Sequence, residues 1–177
     1  HPADAIRHNM AFITEDRRQY GLSLIHSVRQ NCVISSIRRY CHSPLHIVSE
    51  KQEQDATARM IQALGIKTPT QETLVNNLSG GNQQKAIIAR CVEDMGEVYI
   101  FDEPTKGVDV GAKEEIYGYI VNLAKQDKFI ILISSDMPEL LSMSDRIGIM
   151  REGHLVDVVN TKEVNEEILM REYLGVK

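Results

Sequence analysis

The chain has 177 residues, 42% of them hydrophobic, and a formal net charge of −5, enough apolar material for one ordinary core or two small lobes. The acidic balance gives no general attraction for nucleic acid, because the basic residues are scattered apart from small clusters such as Arg38 and Arg39, read as a solvated helix face. No apolar run reaches membrane-spanning length, and Cys32, Cys41 and Cys91, odd in number and without CxxC spacing, point to a reducing compartment.

The chain opens "HPADAIRH", with neither an initiator methionine nor a signal sequence, so its start is expected to be a cut within a longer polypeptide. "MAFIT" (10–14) predicts a short buried strand, and the polar "EDRRQYG" a loop closing at Gly21. Residues 27–40 and 49–64 carry a helical pattern. The second of these opens with an expected capping box, Ser49 with Gln52, and buries Ala56, Met60, Ile61 and Leu64. Together they predict a helical lobe. In "LSGGNQQKAIIAR" (78–90), Ser79, Gly80 and Gly81 precede a helix whose apolar side is Ile87, Ile88, Cys91 and Val92. Backbone amides at such a start, unobstructed by Cβ atoms, suit an anion.

From Glu97 onward apolar strands alternate with amphipathic helices: "VYIFD", a helix over about 110–125, "FIILIS", a short helix near 138–143, then "RIGIM". That alternation predicts an α/β fold, a largely parallel sheet covered on both faces. "REGH" turns into "LVDVV" as a hairpin at the sheet edge, and a last helix from about Asn165 ends at Gly175 as its C-cap.

In "VYIFDEPTKGVD" an apolar strand ends in two adjacent acids, Asp102 and Glu103, and Pro104 stops the pairing. Ligands gather at the carboxyl ends of strands in open α/β sheets, and neighbouring strand residues point to opposite faces, so the two acids are free to take different jobs. One suits a metal-bound water; the other suits polarising an attacking water. A full phosphate cradle, GxxxxGK[ST], is absent from the sequence: in "GVDVGAKE" Ala112 replaces the second glycine and Glu114 the hydroxyl. Cys41, His42 and His46 in "CHSPLH" are read as a solvated turn rather than a zinc site, and Met137, Met143, Met150 and Met170 as packing.

"LSGGNQQK" followed after twelve residues by "VYIFDEP" resembles the ABC-type ATPases of the P-loop NTPase fold. In that resemblance Ser79, Gly80, Gly81 and Gln83 belong to the signature loop, and Asp102 closes the Walker B strand. "KGVD" resembles the loop with a dimer-contacting aspartate, here Asp109, and "ILISSDMPEL" the strand and switch segment. The longer forms "DEPTKGVDVGAK" and "SSDMPELLSMSDRIGIMREG" are similar to the second half of the tandem ATPases that drive monosaccharide importers of the ribose, galactose and xylose type. The resemblance implies a partial nucleotide-binding domain over 1–177, with a helical subdomain over about 20–95 and parts of the ATPase core at 10–19 and 96–177.

The same resemblance implies ATP and Mg2+ as cofactors, with Glu103 as the catalytic carboxylate and Asp102 and Glu15 at the metal. Three departures stand out, the first being that the lysine loop and the aromatic that stacks on adenine, which in the family lie upstream of the strand that starts this chain, are absent. Glu15 occupies the usual glutamine position and adds negative charge beside a triphosphate; Ser135 occupies the switch-histidine position and cannot carry an imidazolium's charge. In the family two ATPase units meet head to tail, so Ser79, Gly80, Gly81 and Asp109 are expected to face an ATP held by the partner unit. Further implied partners are the transmembrane permease, received near residues 19–28, and indirectly a solute-binding protein; nucleic acid is not among them. The implied location is peripheral, on the cytoplasmic face of the membrane. Without a lysine loop the chain alone is expected to bind MgATP poorly and not to hydrolyse it.

Three other functions are weighed. A soluble ABC ATPase of translation or repair would carry a coiled-coil insertion or basic arm, and neither is seen. A nonhydrolytic half that only completes its partner's site is opposed by Glu103 and favoured by Ser135 and Glu15. A nucleoside importer shares "LSGGNQQK" but is disfavoured by the intact paired acids.

Overall fold

The computed structural model describes residues 2–41, 47–93 and 96–175, so His42 and His46 of the weighed metal cluster lie outside the described residues. The chain forms two compact units, His1–Ile133 and Ser134–Lys177.

In the first unit, helix α1 (Pro2–Arg7) leads into strand β1 (Met10–Ile13), and β2 (Val98–Asp102) and β3 (Phe129–Ile133) complete a parallel sheet in the order β1-β2-β3. Parallel neighbours need long crossovers, and the sequence supplies them: eighty-odd residues between β1 and β2, and helix α5 (Val110–Ala124) between β2 and β3. The register aligns Ile13 with Phe101 and Ala11 with Tyr99, and this face carries the buried side chains Ile13, Tyr99 and Phe101. The opposite face, with Phe12, Phe129, Ile131 and Ile133, is exposed among the described residues, which departs from the expected cover on both sides.

The long crossover is the helical part. Helices α2 (Val28–Val33), α3 (Glu50–Leu64) and α4 (Gly80–Glu93) pack on one another around Val28, Cys32, Ala56, Leu64, Ile87 and Ile88. The capping box falls at Ser27, not Ser49: the Ser27 hydroxyl accepts from the Gln30 amide and the Gln30 side chain accepts from the Ser27 amide. Ser49 stands at the N-cap of α3 without a side-chain capping bond. Both sites match S-x-x-Q, so the motif alone could not choose between them.

The expected helix over 27–40 is also broken. At its midpoint the Ser36 hydroxyl donates to the Val33 carbonyl at 3.3 Å, an interaction that competes with the next helical bond, and the chain resumes as a separate short turn, Ile37–Tyr40. Of the four residues expected in the core of α3, Ala56 and Leu64 are buried and Met60 and Ile61 are half-buried. Arg29 ties α2 to this lobe through Glu53 at 2.6 Å and Glu72 at 2.7 Å.

The second unit holds α6 (Met137–Met143), the antiparallel pair β4 (Arg146–Arg151) and β5 (His154–Asn160), and α7 (Glu166–Leu174). Its core is Ile147, Ile149 and Leu169, with Met137, Leu140 and Val159 packed against them. "RIGIM" therefore pairs with "LVDVV" in a two-stranded sheet of its own rather than joining the parallel one. Glu152 and Gly153, both at positive φ, make the tight turn that a two-residue hairpin requires. Asn165 caps the start of α7, and Gly175 closes it in the left-handed conformation, as the pattern predicts.

Candidate functional site

The signature turn is built from the first residues of α4. The Ser79 carbonyl accepts from the Gln83 amide at 2.9 Å and its hydroxyl accepts from the Asn82 side chain at 2.9 Å, which fixes the helix start. Ser79 is exposed and Gly80 half-buried, whereas Gly81 is buried against the start of α5. A Cβ on Gly81 would stand 2.7 Å from Ala112 Cβ and 3.3 Å from Asp109 Oδ2. Glycine is needed there for packing, and the face left outward is that of Ser79 and Gly80. Gln83 is buried, and its Nε2 donates to the Val75 carbonyl at 3.2 Å, anchoring the turn that precedes the loop.

Asp109 caps α5, its Oδ1 accepting from the Ala112 amide at 3.0 Å. The same helix start that holds Asp109 in place thus seals Gly81 from behind. Residues twenty-eight apart in sequence, Gly81 and Asp109, come together through this one contact.

A second cluster forms where β1 and β2 end. Asp102 is the last residue of β2, and Glu103 follows at φ 48°, a left-handed conformation that a residue with a side chain adopts only under constraint, its amide donating to the Ile133 carbonyl at 2.9 Å. Glu15, from the loop after β1, is ion-paired to Lys106 at 2.6 Å. Burial, then the Glu15 and Glu103 carboxylates, push the Asp102 carboxyl above its ordinary value, with Lys106 opposing. An excess of negative potential therefore collects at this corner. Among the described residues no group of three or more His, Cys, Asp or Glu is arranged to hold a metal ion by itself.

Ser135 lies in the second unit, exposed in the segment leading to α6, where the Ser134 hydroxyl accepts from the Asp136 amide at 3.0 Å. Of the cysteines, Cys32 is fully buried, and burial pushes its thiol up to about 12, leaving it unreactive.

The family described as ABC transporter matches residues 2–106. The chain belongs to the ABC transporter family. It is 44% identical over 169 residues to the galactose/methyl galactoside import ATP-binding protein of Fusobacterium nucleatum, an alignment covering 96% of this chain and 34% of that protein. It is 45% identical to the ribose import ATP-binding protein of Oceanobacillus iheyensis, with the same shares covered. The chain thus spans about a third of the length of the curated relatives it matches. Among solved structures, a nucleotide-free ATP-binding cassette of an ABC transporter aligns with TM-score 0.73 at 18% identity, covering 98% of this chain and 68% of that one. A dimeric cassette in a post-hydrolysis state bound to ADP and phosphate aligns with TM-score 0.75 at 19% identity, covering 88% and 64%. Both support the P-loop ATPase fold of this ABC chain.

Three residues packed beside these motifs, Arg17, Lys106 and Gly107, are not picked out as site residues by the sequence, although Lys106 and Gly107 stand in "KGVD". Their partners lie sixty to ninety positions away, so no local pattern identifies them. For Arg17 and Lys106 the one signal is charge beside the acidic motifs, "EDRR" and "DEPTK".

The raised Asp102 carboxyl has a measurable consequence. The folded chain binds a proton at Asp102 more readily than the unfolded chain, so the ionised group lowers stability at neutral pH. That penalty shrinks as pH falls through the raised folded value and vanishes below the unfolded one, roughly 3.9. Asp102→Asn is expected to raise the melting temperature at pH 7, with the gain fading toward pH ~3. A gain that is the same at both pH values would show that charge is not its cause.

Proposed function

We propose that this ABC chain is the C-terminal part of the second ATPase unit of a tandem importer ATPase, and that the complete protein couples ATP hydrolysis to uptake of a monosaccharide. The observation that carries the reading is the presence, in one unit, of an outward signature turn sealed from behind at Gly81 and a separate acid corner at Asp102 and Glu103. A turn with amides but no lysine suits the phosphates of a nucleotide held elsewhere, whereas the acid corner suits a nucleotide seated on its own unit. Residues of about 20–95 form the helical subdomain in this reading, and 10–19 with 96–177 the ATPase core.

The acid corner fits a divalent cation, because a positive charge would relieve the potential that raises the Asp102 carboxyl. Magnesium, when bound, supplies neutralisation of phosphate charge, with its remaining ligands from phosphate and water. Asp102 is the residue to hold it, and Glu15 joins only by leaving Lys106. Glu103 takes the general-base role. Ser135, in the switch position, offers a hydrogen bond without a charge.

The head-to-tail partner is the other half of the tandem, and a transmembrane permease docks on the helical lobe near residues 19–28, where Tyr20 and Ile25 are exposed. In this reading the chain is a peripheral subunit on the cytoplasmic side of the membrane; no helix among the described residues is long and apolar enough to cross one. Monosaccharide rather than another solute is supported by the identity to galactose and ribose import proteins across 96% of the chain.

The test is reconstitution of the complete protein with its permease and binding protein in vesicles. Hydrolysis is expected to rise when galactose, ribose or a related monosaccharide is supplied. Stimulation by nucleosides and by none of these sugars would overturn the assignment.

A further inference from the structure

The Arg17 side chain is absorbed neither by the signature turn nor by the acid corner, yet it touches the first and adjoins the second. Asp16 holds the turn Arg17–Gly21 rigid, its Oδ1 accepting from the amides of Arg18 at 3.1 Å and Gln19 at 3.0 Å. The turn is then fastened to α4 at two points. At one end Arg17 Nη1 donates to the Gly80 carbonyl at 2.9 Å; at the other Gly21 lies so close to Ile87 that an added Cβ would stand 2.7 Å from its Cδ1. Gly80 and Ile87 are about two helical turns apart, so the turn is strapped along one side of α4.

The guanidinium is also wedged. A Cβ on Gly80 would lie 3.3 Å from Nη1 and 3.4 Å from the Gly107 carbonyl, and a Cβ on Gly107 would lie 3.3 Å from Nη2. Two glycines on different loops leave the space it fills, Gly107 at a positive φ of 64°. Two residues upstream Glu15 is ion-paired to Lys106, the neighbour of Gly107. Three loops therefore meet at one side chain: the loop after β1, the signature turn and the loop after β2.

We propose that Arg17 is a positioning residue, which sets the signature turn against the loops bearing Glu15 and Lys106 so that Ser79 and Gly80 reach the partner's nucleotide in the productive position. A partly buried guanidinium held by a main-chain carbonyl is a charge-assisted bond with fixed fork geometry, so it controls both the distance and the tilt of the helix start. Methionine keeps the apolar stem and loses the bond. Lysine keeps a single charged donor and loses the fork. This rests on the proposed head-to-tail function, and the test separates the two.

In the complete protein, Arg17→Met is expected to lower the turnover of the nucleotide that faces this signature turn by about 10- to 100-fold, with its affinity changed by less than about threefold. Arg17→Lys is expected to recover part of that loss. Hydrogen exchange supplies the arm that does not depend on hydrolysis: the amide of Gln83, bonded to the Ser79 carbonyl at 2.9 Å, is expected to exchange about tenfold faster in Arg17→Met, while those of Ile87, Ile88 and Cys91 keep the parent rates. Faster exchange along all of α4 in both variants would mark a general structural role and overturn the proposal. So would unchanged exchange at Gln83, or faster exchange there with full turnover. If the parent protein hydrolyses no ATP at all, the proposed function fails, and the exchange result alone decides whether Arg17 positions the turn.

Discussion

Replacing Glu103 with glutamine is expected to reduce hydrolysis of the nucleotide seated on this chain's own unit by about 100- to 10,000-fold, the range lost when a general base is removed, while nucleotide still binds there. Glutamine matches glutamate in size and accepts the same constrained backbone, φ 48° with the amide donated to Ile133, so the loop keeps its form. What disappears is the carboxylate. Its loss also removes one of the charges that raise Asp102, so the Asp102 carboxyl is expected to move down toward its ordinary value. Single-turnover assays with site-specific photolabelling in the complete protein read the first effect, and carbon-detected NMR titration of Asp102 reads the second. A rate within threefold of the parent would remove Glu103 from the chemistry.

Gly81→Asp is expected to act on the opposite nucleotide and, for a reason the structure supplies, on stability as well. The new Cβ would stand 2.7 Å from Ala112 Cβ, a short rigid group that cannot swing aside, and the new carboxylate would enter beside Asp109. Overpacking of this kind costs about 1–3 kcal/mol, and like charges add to it. For a chain of this size the steric part alone corresponds to a fall of roughly 2–12 °C in melting temperature. Hydrolysis of the nucleotide facing the signature turn should fall by orders of magnitude while that nucleotide still binds to the partner unit's loop. Gly81→Ala separates the causes, since it meets the same Ala112 methyl without the charge. An alanine variant melting with the parent would refute the packing argument. If Gly81→Asp and Glu103→Gln silenced the same nucleotide, the head-to-tail assignment of the loop would be wrong.

Much of this site is legible in the chain because its signals are local. The strand "VYIFD" ends in acids, and the strand is found at Val98–Asp102. Asp109 precedes a helical pattern and caps it; Gly175 follows one and closes it. In each case a backbone preference acts within four residues, so reading the order of residues is enough. Where two local readings compete, the outcome was not legible. Ser27 and Ser49 both begin S-x-x-Q, and only at Ser27 is the box formed. "RIGIM" and its hairpin partner "LVDVV" read as strands, which they are, but that the pair forms a sheet of its own rather than an edge of the parallel sheet depends on a separate small core.

Motif spacing and hydrophobic period are properties of neighbouring residues, so the strands, most of the helices, the family resemblance and the identity of the acids and glycines follow from residue order alone. Which side of each glycine is filled depends on the tertiary structure. At Gly81 the side on which a Cβ would stand is taken by Ala112, while Gly80 and Gly107 leave their space to a guanidinium from another loop. The tertiary structure also decided that Glu15, read as a metal-facing carboxylate, lies against Lys106 ninety-one residues away. Such contacts depend on where β1, α4 and β2 deliver their ends, and the sum of many burial terms fixes that geometry rather than any pattern in the segments that meet.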